Sequence, residues 1–254
     1  MALVIPFASE KGGVGKTTSV LSIATWIHYV FSLKVAVFDC DPSENAFLIR
    51  KSHLAYFDNL KPTDSRVKYA LEFIEKHNRP IYPIFEKVNA ETFSADLEKH
   101  GDQYDIIFVD MPGYLDVNLL KAVLPLTDHL FIPYVADLGS MNGTKDFALV
   151  TYNEGAFSFQ GHYYMAKSYP STQLVDEVKD AVDLLENLPI PYTVMKNNIM
   201  HRIEVMKPMA MISLFPLDGS SYRDHYLTKF CFEFLEKIGY KPLEMIPFIN
   251  LKIR

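Results

Sequence analysis

The sequence predicts an α/β fold: three layers, with a mostly parallel, twisted sheet flanked by helices. Three observations predict it. Short apolar runs alternate along the chain with segments of helical period, the pattern of a sheet wound from βα units. Most of these runs are apolar throughout rather than at every second residue, as strands covered on both faces are. A glycine-rich turn stands between the first apolar run and the first amphipathic segment.

The elements follow in order. Leu3–Ala8 is apolar and passes straight into Ser9, Glu10 and Lys11, with no basic stretch before it. It reads as a buried strand and not as a signal peptide. Lys16–Phe31 follows as a helix with Val20, Ile23, Ala24, Ile27 and Phe31 on one face. Further strands are expected at Lys34–Asp39, Ile81–Phe85, Asp105–Asp110, His129–Tyr134, His162–Ala166 and Tyr192–Met195. Asp64 is placed to cap a helix that turns Val67, Leu71 and Ile74 inward. Thr172–Asn187 carries Leu174, Val178, Ala181, Val182 and Leu185 at helical spacing. A last helix opens at Ser221-x-x-Asp224, a capping-box pattern. It buries Tyr222, Tyr226, Phe230 and Phe234 and stops at Gly239. One domain over residues 1–254 is expected, with 50–100 as its least regular, peripheral segment.

Composition narrows the classes. Hydrophobic residues make up 49% and charged residues 22%, an ordinary globular balance. The net charge of -6 gives no global attraction to nucleic acid. Cys40 and Cys231 lie far apart with no C-x-x-C spacing. That excludes a disulfide scaffold and a zinc site, and favours reduced thiols in a cytoplasmic protein. No apolar run reaches the length of a bilayer. The histidines lack metalloprotease spacing, and there is no G-x-S-x-G nucleophile turn. The methionines between Met195 and Met211 read as packing.

The strongest signal is Lys11-Gly12-Gly13-Val14-Gly15-Lys16-Thr17-Thr18, between a strand and a helix. Phosphate oxygens need several backbone N–H groups aimed inward around a tight curve. Glycines permit the curve and keep side chains out of it. The helix that follows adds positive potential at its N-terminus. Lys16 is placed for the β- and γ-phosphates, and the Thr17 hydroxyl for magnesium. The whole stretch Lys11–Thr18 is the candidate nucleotide-binding segment. Two apolar strands end in carboxylates, at Asp39-Cys40-Asp41-Pro42 and at Asp110-Met111-Pro112-Gly113. Such strand ends line the ligand edge of open α/β sheets.

The loop departs from the usual G-x-x-x-x-G-K-[ST] pattern because Glu10 stands at its first glycine. It matches K-G-G-x-G-K-[ST] instead, and so resembles the deviant Walker A loop of the ParA/Soj/MinD family of P-loop ATPases. The resemblance implies that Lys11 reaches across an ATP-sandwiched homodimer to the partner's phosphates, as an arginine finger does. It implies that Asp110 is the Walker B aspartate, that Asp41 orients the attacking water and that Asp39 supports the metal. Thr17, Asp39 and Asp110 are then the candidate metal residues, and Lys11, Lys16 and Asp41 the catalytic ones. Ser43 replaces the glutamine usual after the Asp-Pro pair.

The likeness extends through the C-terminal half. Tyr192–Ile199 resembles the family's seventh strand and the loop over adenine, with Asn198 at the family's asparagine. Either that carboxamide or backbone groups of Lys196–Asn198 could read the base, and a plain turn is the alternative. Phe215–Ser221 resembles the last loop before the final helix. Leu48–Gln103 resembles small ParA-like proteins of Bacteroides-type conjugative elements more than Soj.

The expected function is a slow, partner-stimulated ATPase switch. ATP and Mg2+ would close a homodimer, a ParB-like protein would stimulate hydrolysis, and the task would be partition of a plasmid, chromosome or mobile element. Nonspecific DNA binding is weakened by the acidic balance; Arg202, Lys207 and Arg223 are candidate contacts. The loop starts so near residue 1 that a preceding DNA-reading domain, and with it a repressor role, is not expected. The alternatives are a MinD-like positioning ATPase on a membrane and a metabolic ligase on the same scaffold. The apolar tail 246–254 is too short for an amphipathic helix and starts with proline, so it reads as a terminal strand or docked tail rather than a membrane anchor.

Overall fold

The computed structural model describes residues 1–61, 63–64, 68, 71–72, 75, 78–135, 138–154, 159–166, 175–199, 211–215 and 224–241. Its strands are β1 (Leu3–Phe7), β2 (Val35–Asp39), β3 (Ile84–Phe85), β4 (Ile106–Asp110), β5 (His129–Tyr134), β6 (Gln160–Met165) and β7 (Thr193–Val194). They form one sheet in the order β3-β2-β4-β1-β5-β6-β7. Every pairing in it is parallel. The helices are α1 (Lys16–Val30), α2 (Asn45–Asp58), α3 (Phe93–His100), α4 (Val117–Val123), α5 (Leu138–Glu154), α6 (Val175–Glu186) and α7 (Asp224–Lys237).

The continuous apolar strands are explained by two cores. Successive side chains of a strand leave on opposite faces. Val4, Ala36, Phe38, Ile107, Val109, Leu130 and Ile132 join one cluster, with Phe93, Leu97, Leu120, Phe147 and Leu185 from α3 to α6. Ile5, Phe7, Val35, Val37, Ile106, Phe108 and Phe131 join the other, with α1 and α7. Phe7 stacks on Phe131 at 5.3 Å, and Phe131 packs on Phe234 at 4.7 Å. The result is three layers, as the apolar pattern predicts.

All seven expected strands are present, with shifted ends. Within 50–100 the structure places the end of α2, β3 and α3, and Tyr82, Val88, Phe93 and Leu97 are buried there. Leu71, expected to face inward, is exposed instead; Lys68, Leu71, Glu72 and Glu75 have helical backbone. The expected inward residues Val67 and Ile74, the Ser221 cap, Tyr222, the loop 216–221, the tail 246–254 and the candidate DNA contacts Arg202, Lys207 and Arg223 lie outside the described residues. Phe230 and Phe234 of α7 are fully buried, as expected. Among the described residues no helix is long and apolar enough to cross a membrane.

Candidate functional site

The turn after β1 is shaped by its glycines. Gly13 and Gly15 hold φ values of 72° and 101°, in the left-handed region that side chains avoid. Gly15 begins α1, and its carbonyl accepts from Ser19 N at 2.9 Å. Val14 is buried and anchors the turn, while Lys11, Gly12 and Gly13 are exposed and Thr17 and Thr18 are half-buried.

Lys16 turns back under this curve. Its side chain is buried, and Nζ donates to Ser9 Oγ at 3.0 Å and to Lys11 O at 3.3 Å. Ser9 Oγ also donates to Lys11 O, at 2.9 Å. Burial pushes the Lys16 ammonium below its ordinary pKa, and the charges of Asp110 and Asp41 oppose that. Those carboxylates therefore lie within electrostatic reach of Lys16.

Strand pairing brings the acidic positions together. β1, β4 and β2 lie side by side with Phe7, Asp110 and Asp39 in register. Cys40 N donates to Asp110 O at 3.0 Å and Met111 N to Phe7 O at 3.2 Å, so the register continues past the strand ends. The segment after Asp110 touches the turn: a Cβ on Gly113 would lie 2.7 Å from Gly12 Cα and 3.6 Å from Lys16 Nζ.

The three carboxylates differ. Asp39 accepts from Asp41 N at 3.3 Å through one oxygen and from Phe47 N at 2.9 Å through the other. Burial raises its pKa to about 6, with those amides holding it down. Asp41 is half-buried; it accepts from Ser43 N at 2.8 Å and Asn45 Nδ2 at 3.2 Å. Asp110 is fully buried, and neither carboxylate oxygen has a donor at full hydrogen-bond geometry. The Thr17 hydroxyl nonetheless faces it and eases its charge, against a burial effect that lifts the pKa to about 8.

The loop after β7 reaches the same edge through β6. Ile199 N donates to Met165 O at 2.9 Å, and Ala166 Cβ would lie 3.8 Å from a Cβ on Gly15. Asn198 is half-buried in this loop. Sequence reasoning missed what holds it. Glu233 of α7 accepts from Lys196 N, Asn197 N and Asn197 Nδ2, each at 2.7 Å. The available signal was an acidic residue three places after Phe230 on an otherwise apolar helix face. Ser9, under Lys16, was missed as well; its signal was a hydroxyl ending an apolar strand.

Lys11, Lys16, Thr17, Asp39, Asp41 and Asp110 thus share one edge of the sheet, with the Asn198 loop at its flank. Comparison with known proteins gives the same architecture. The MinD cell division protein of Aquifex aeolicus superposes with a TM-score of 0.63 at 17% identity, covering 92% of this chain and 97% of that one. A ParA family ATPase from Chlorobium tepidum TLS gives 0.62 at 16% identity, covering 91% and 99%. An uncharacterized protein of Pseudomonas putida is 25% identical over 162 residues; the match takes in 58% of this chain and spans 61% of that relative's length. The model of the CobQ/CobB/MinD/ParA nucleotide binding domain matches residues 5–204, and the chain belongs to that family.

Proposed function

We propose that the chain is an ATP-dependent dimerising ATPase of ParA type, a switch in the partition of a plasmid, chromosome or mobile element. The observation that carries the reading is the buried Lys16 ammonium beneath a glycine turn, within electrostatic reach of a buried Asp110 carboxylate that lacks a full donor. A site so built leaves positive and negative groups waiting for a ligand that carries both charges, a nucleoside triphosphate with its metal.

The residues fit magnesium. Among the described residues no three His, Cys, Asp or Glu side chains cluster to hold a metal. Magnesium needs no such cage, because it binds through one or two protein oxygens, substrate phosphates and water. Thr17 and Asp110 would hold it, and it would neutralise charge on the phosphates. Asp39, with both oxygens on backbone amides, would shape the segment that carries Asp41. Lys16 binds the β- and γ-phosphates. Asp41, at the mouth of the site, accepts a proton from and orients the attacking water, giving ADP and phosphate. Lys11 serves the opposite subunit. Lys196–Asn198 borders the base. A ParB-like activator and a cytoplasmic setting complete the proposal, and DNA contact through surface cations would be salt-sensitive.

The test is size-exclusion chromatography with and without ATP–magnesium, using Asp41→Ala to slow turnover. The expected result is an ATP-dependent dimer that Lys16→Ala abolishes. A monomer under every condition would overturn the switch.

A further inference from the structure

We propose that Ser9 is a positioning residue for phosphate binding: its hydroxyl fixes the Lys16 ammonium and aims it at the β- and γ-phosphates. This role rests on the reading of the glycine turn as a nucleotide site. Ser9 follows β1 and is buried, at 5% exposure, beside a Lys16 side chain that is 6% exposed. Three atoms there form a closed triangle. Ser9 Oγ and Lys11 O are 2.9 Å apart, and Lys16 Nζ lies 3.0 Å from the first and 3.3 Å from the second. Counting protons settles the direction of each bond. A serine hydroxyl has one hydrogen. The Lys11 carbonyl can only accept, so that hydrogen goes to it, and Ser9 turns a lone pair to Nζ. The ammonium has three N–H bonds and no lone pair, so it donates to both oxygens.

Two anchors do what one would not. Held at Lys11 O alone, the ammonium could swing about that contact. Held at two oxygens on one side, its tetrahedral geometry turns the third N–H away from both. Gly113 keeps a side chain off Nζ, since a Cβ there would stand 3.6 Å from it. Ordering a lysine stem loses more rotamer entropy than ordering most side chains. Here folding orders it before any ligand arrives, and a phosphate finds the charge already in place. Neither oxygen competes with the phosphate for the third N–H, so both bonds persist in the occupied site. A serine that merely closed the turn would need only its bond to Lys11 O. The contact with a charged nitrogen seven residues further on is not required by the turn.

Two measurements on the full chain test it. One is calorimetric titration with ADP–magnesium. The other is the nitrogen–proton NMR spectrum of the lysine ammonium groups, with Lys16 assigned by its loss in Lys16→Met. In the wild type the Lys16 signal should be sharp both before and after ADP binds. Ser9→Ala should broaden it and loosen ADP–magnesium roughly tenfold, the scale of freeing a long cationic side chain. Ser9→Cys keeps the shape but offers a sulfur that accepts only weakly. The same losses are expected, and it carries the test if Ser9→Ala does not fold. A Ser9→Ala protein that binds ADP as the wild type does would overturn the proposal. Tighter binding would overturn it too, by making Ser9 a competitor of the phosphates. So would weaker binding with an unchanged Lys16 signal, or a wild-type signal that is broad in either state. A wild type that does not bind ADP at all would remove the nucleotide reading, and this role with it.

Discussion

Asp110 and Gly113 show how single residues make the site at a cost to the fold. A buried carboxylate with no full donor is unfavourable until a ligand arrives. Above about pH 8, where the Asp110 carboxylate carries its charge, Asp110→Asn removes that charge at nearly constant shape. In nucleotide-free protein it should stabilise by on the order of 1 kcal/mol, read from urea unfolding, while ATP hydrolysis is lost. A destabilised variant would mean that the carboxylate is satisfied in the resting protein. Gly113 is a steric matter. A Cβ there would come within 2.7 Å of Gly12 Cα, and backbone cannot yield as a flexible side chain can. Gly113→Ala should therefore displace the turn and weaken ATP binding by about tenfold or more, equivalent to roughly 1–2 kcal/mol, with a smaller effect on Tm. Calorimetry with ATP–magnesium measures the first and thermal unfolding the second.

At the scale of elements, α7 governs a loop it does not belong to. Glu233 spends its carboxylate on two successive backbone amides and a carboxamide after β7. Glu233→Gln turns one acceptor oxygen into a donor facing those amides. ATP affinity should fall roughly tenfold while tripolyphosphate, which has no base, binds as before; equal losses for both ligands would place Glu233 outside base binding. A second link joins β5, β6 and β7: His129 Nδ1 lies 3.2 Å from His162 Nε2, and His162 Nδ1 lies 2.9 Å from Thr193 Oγ1. Burial pushes His162 down to about 3 and also lowers His129. The unfolded chain takes these protons near pH 6.5 and the folded one resists them. The stability is thus fully present above that pH and drains away as pH falls toward 3. Between pH 7 and 5 the loss at His162 should be roughly 1–2 kcal/mol, and His162→Gln should remove it in urea unfolding. The strands were legible because burial on both faces writes an unbroken apolar run. Their ends were not: β6 starts at Gln160, opposite His129 of β5, and the next residue, Gly161, leaves room for the Tyr192 ring, which a Cβ would meet at 2.2 Å. Helix α5 was missed because Gly139, Asn142 and Gly143 disfavour helix locally while Phe147 and Ala148 pack on the sheet. The loop and the aspartates were readable from order along the chain, since each follows a strand in the same sheet. Glu233 was not, because its partners are 36 and 37 residues away.

Across the whole molecule, the sheet order decides which residues can cooperate within one chain. β1 lies between β4 and β5, and β4 between β2 and β1. The turn, Asp110 and Asp41 therefore meet at one edge of a single subunit. Lys11 is on the exposed side of the turn, so a second copy related by a two-fold axis could receive it. If it acts across that axis, each site combines Asp41 of one subunit with Lys11 of the other. Lys11→Ala and Asp41→Ala should each be inactive alone. Mixed in equal amounts with ATP and magnesium, half of the dimers pair one variant with the other. Such a dimer has one site with both groups intact and one with neither. Hydrolysis should return to about a quarter of the wild-type rate, the statistical value for free exchange of subunits in a two-fold assembly. Were Lys11 to serve its own subunit, every site in the mixed dimer would lack one group and the mixture would stay silent. Inorganic phosphate release, measured for each variant and for the mixture after mass spectrometry has shown the mixed dimer, separates the two arrangements.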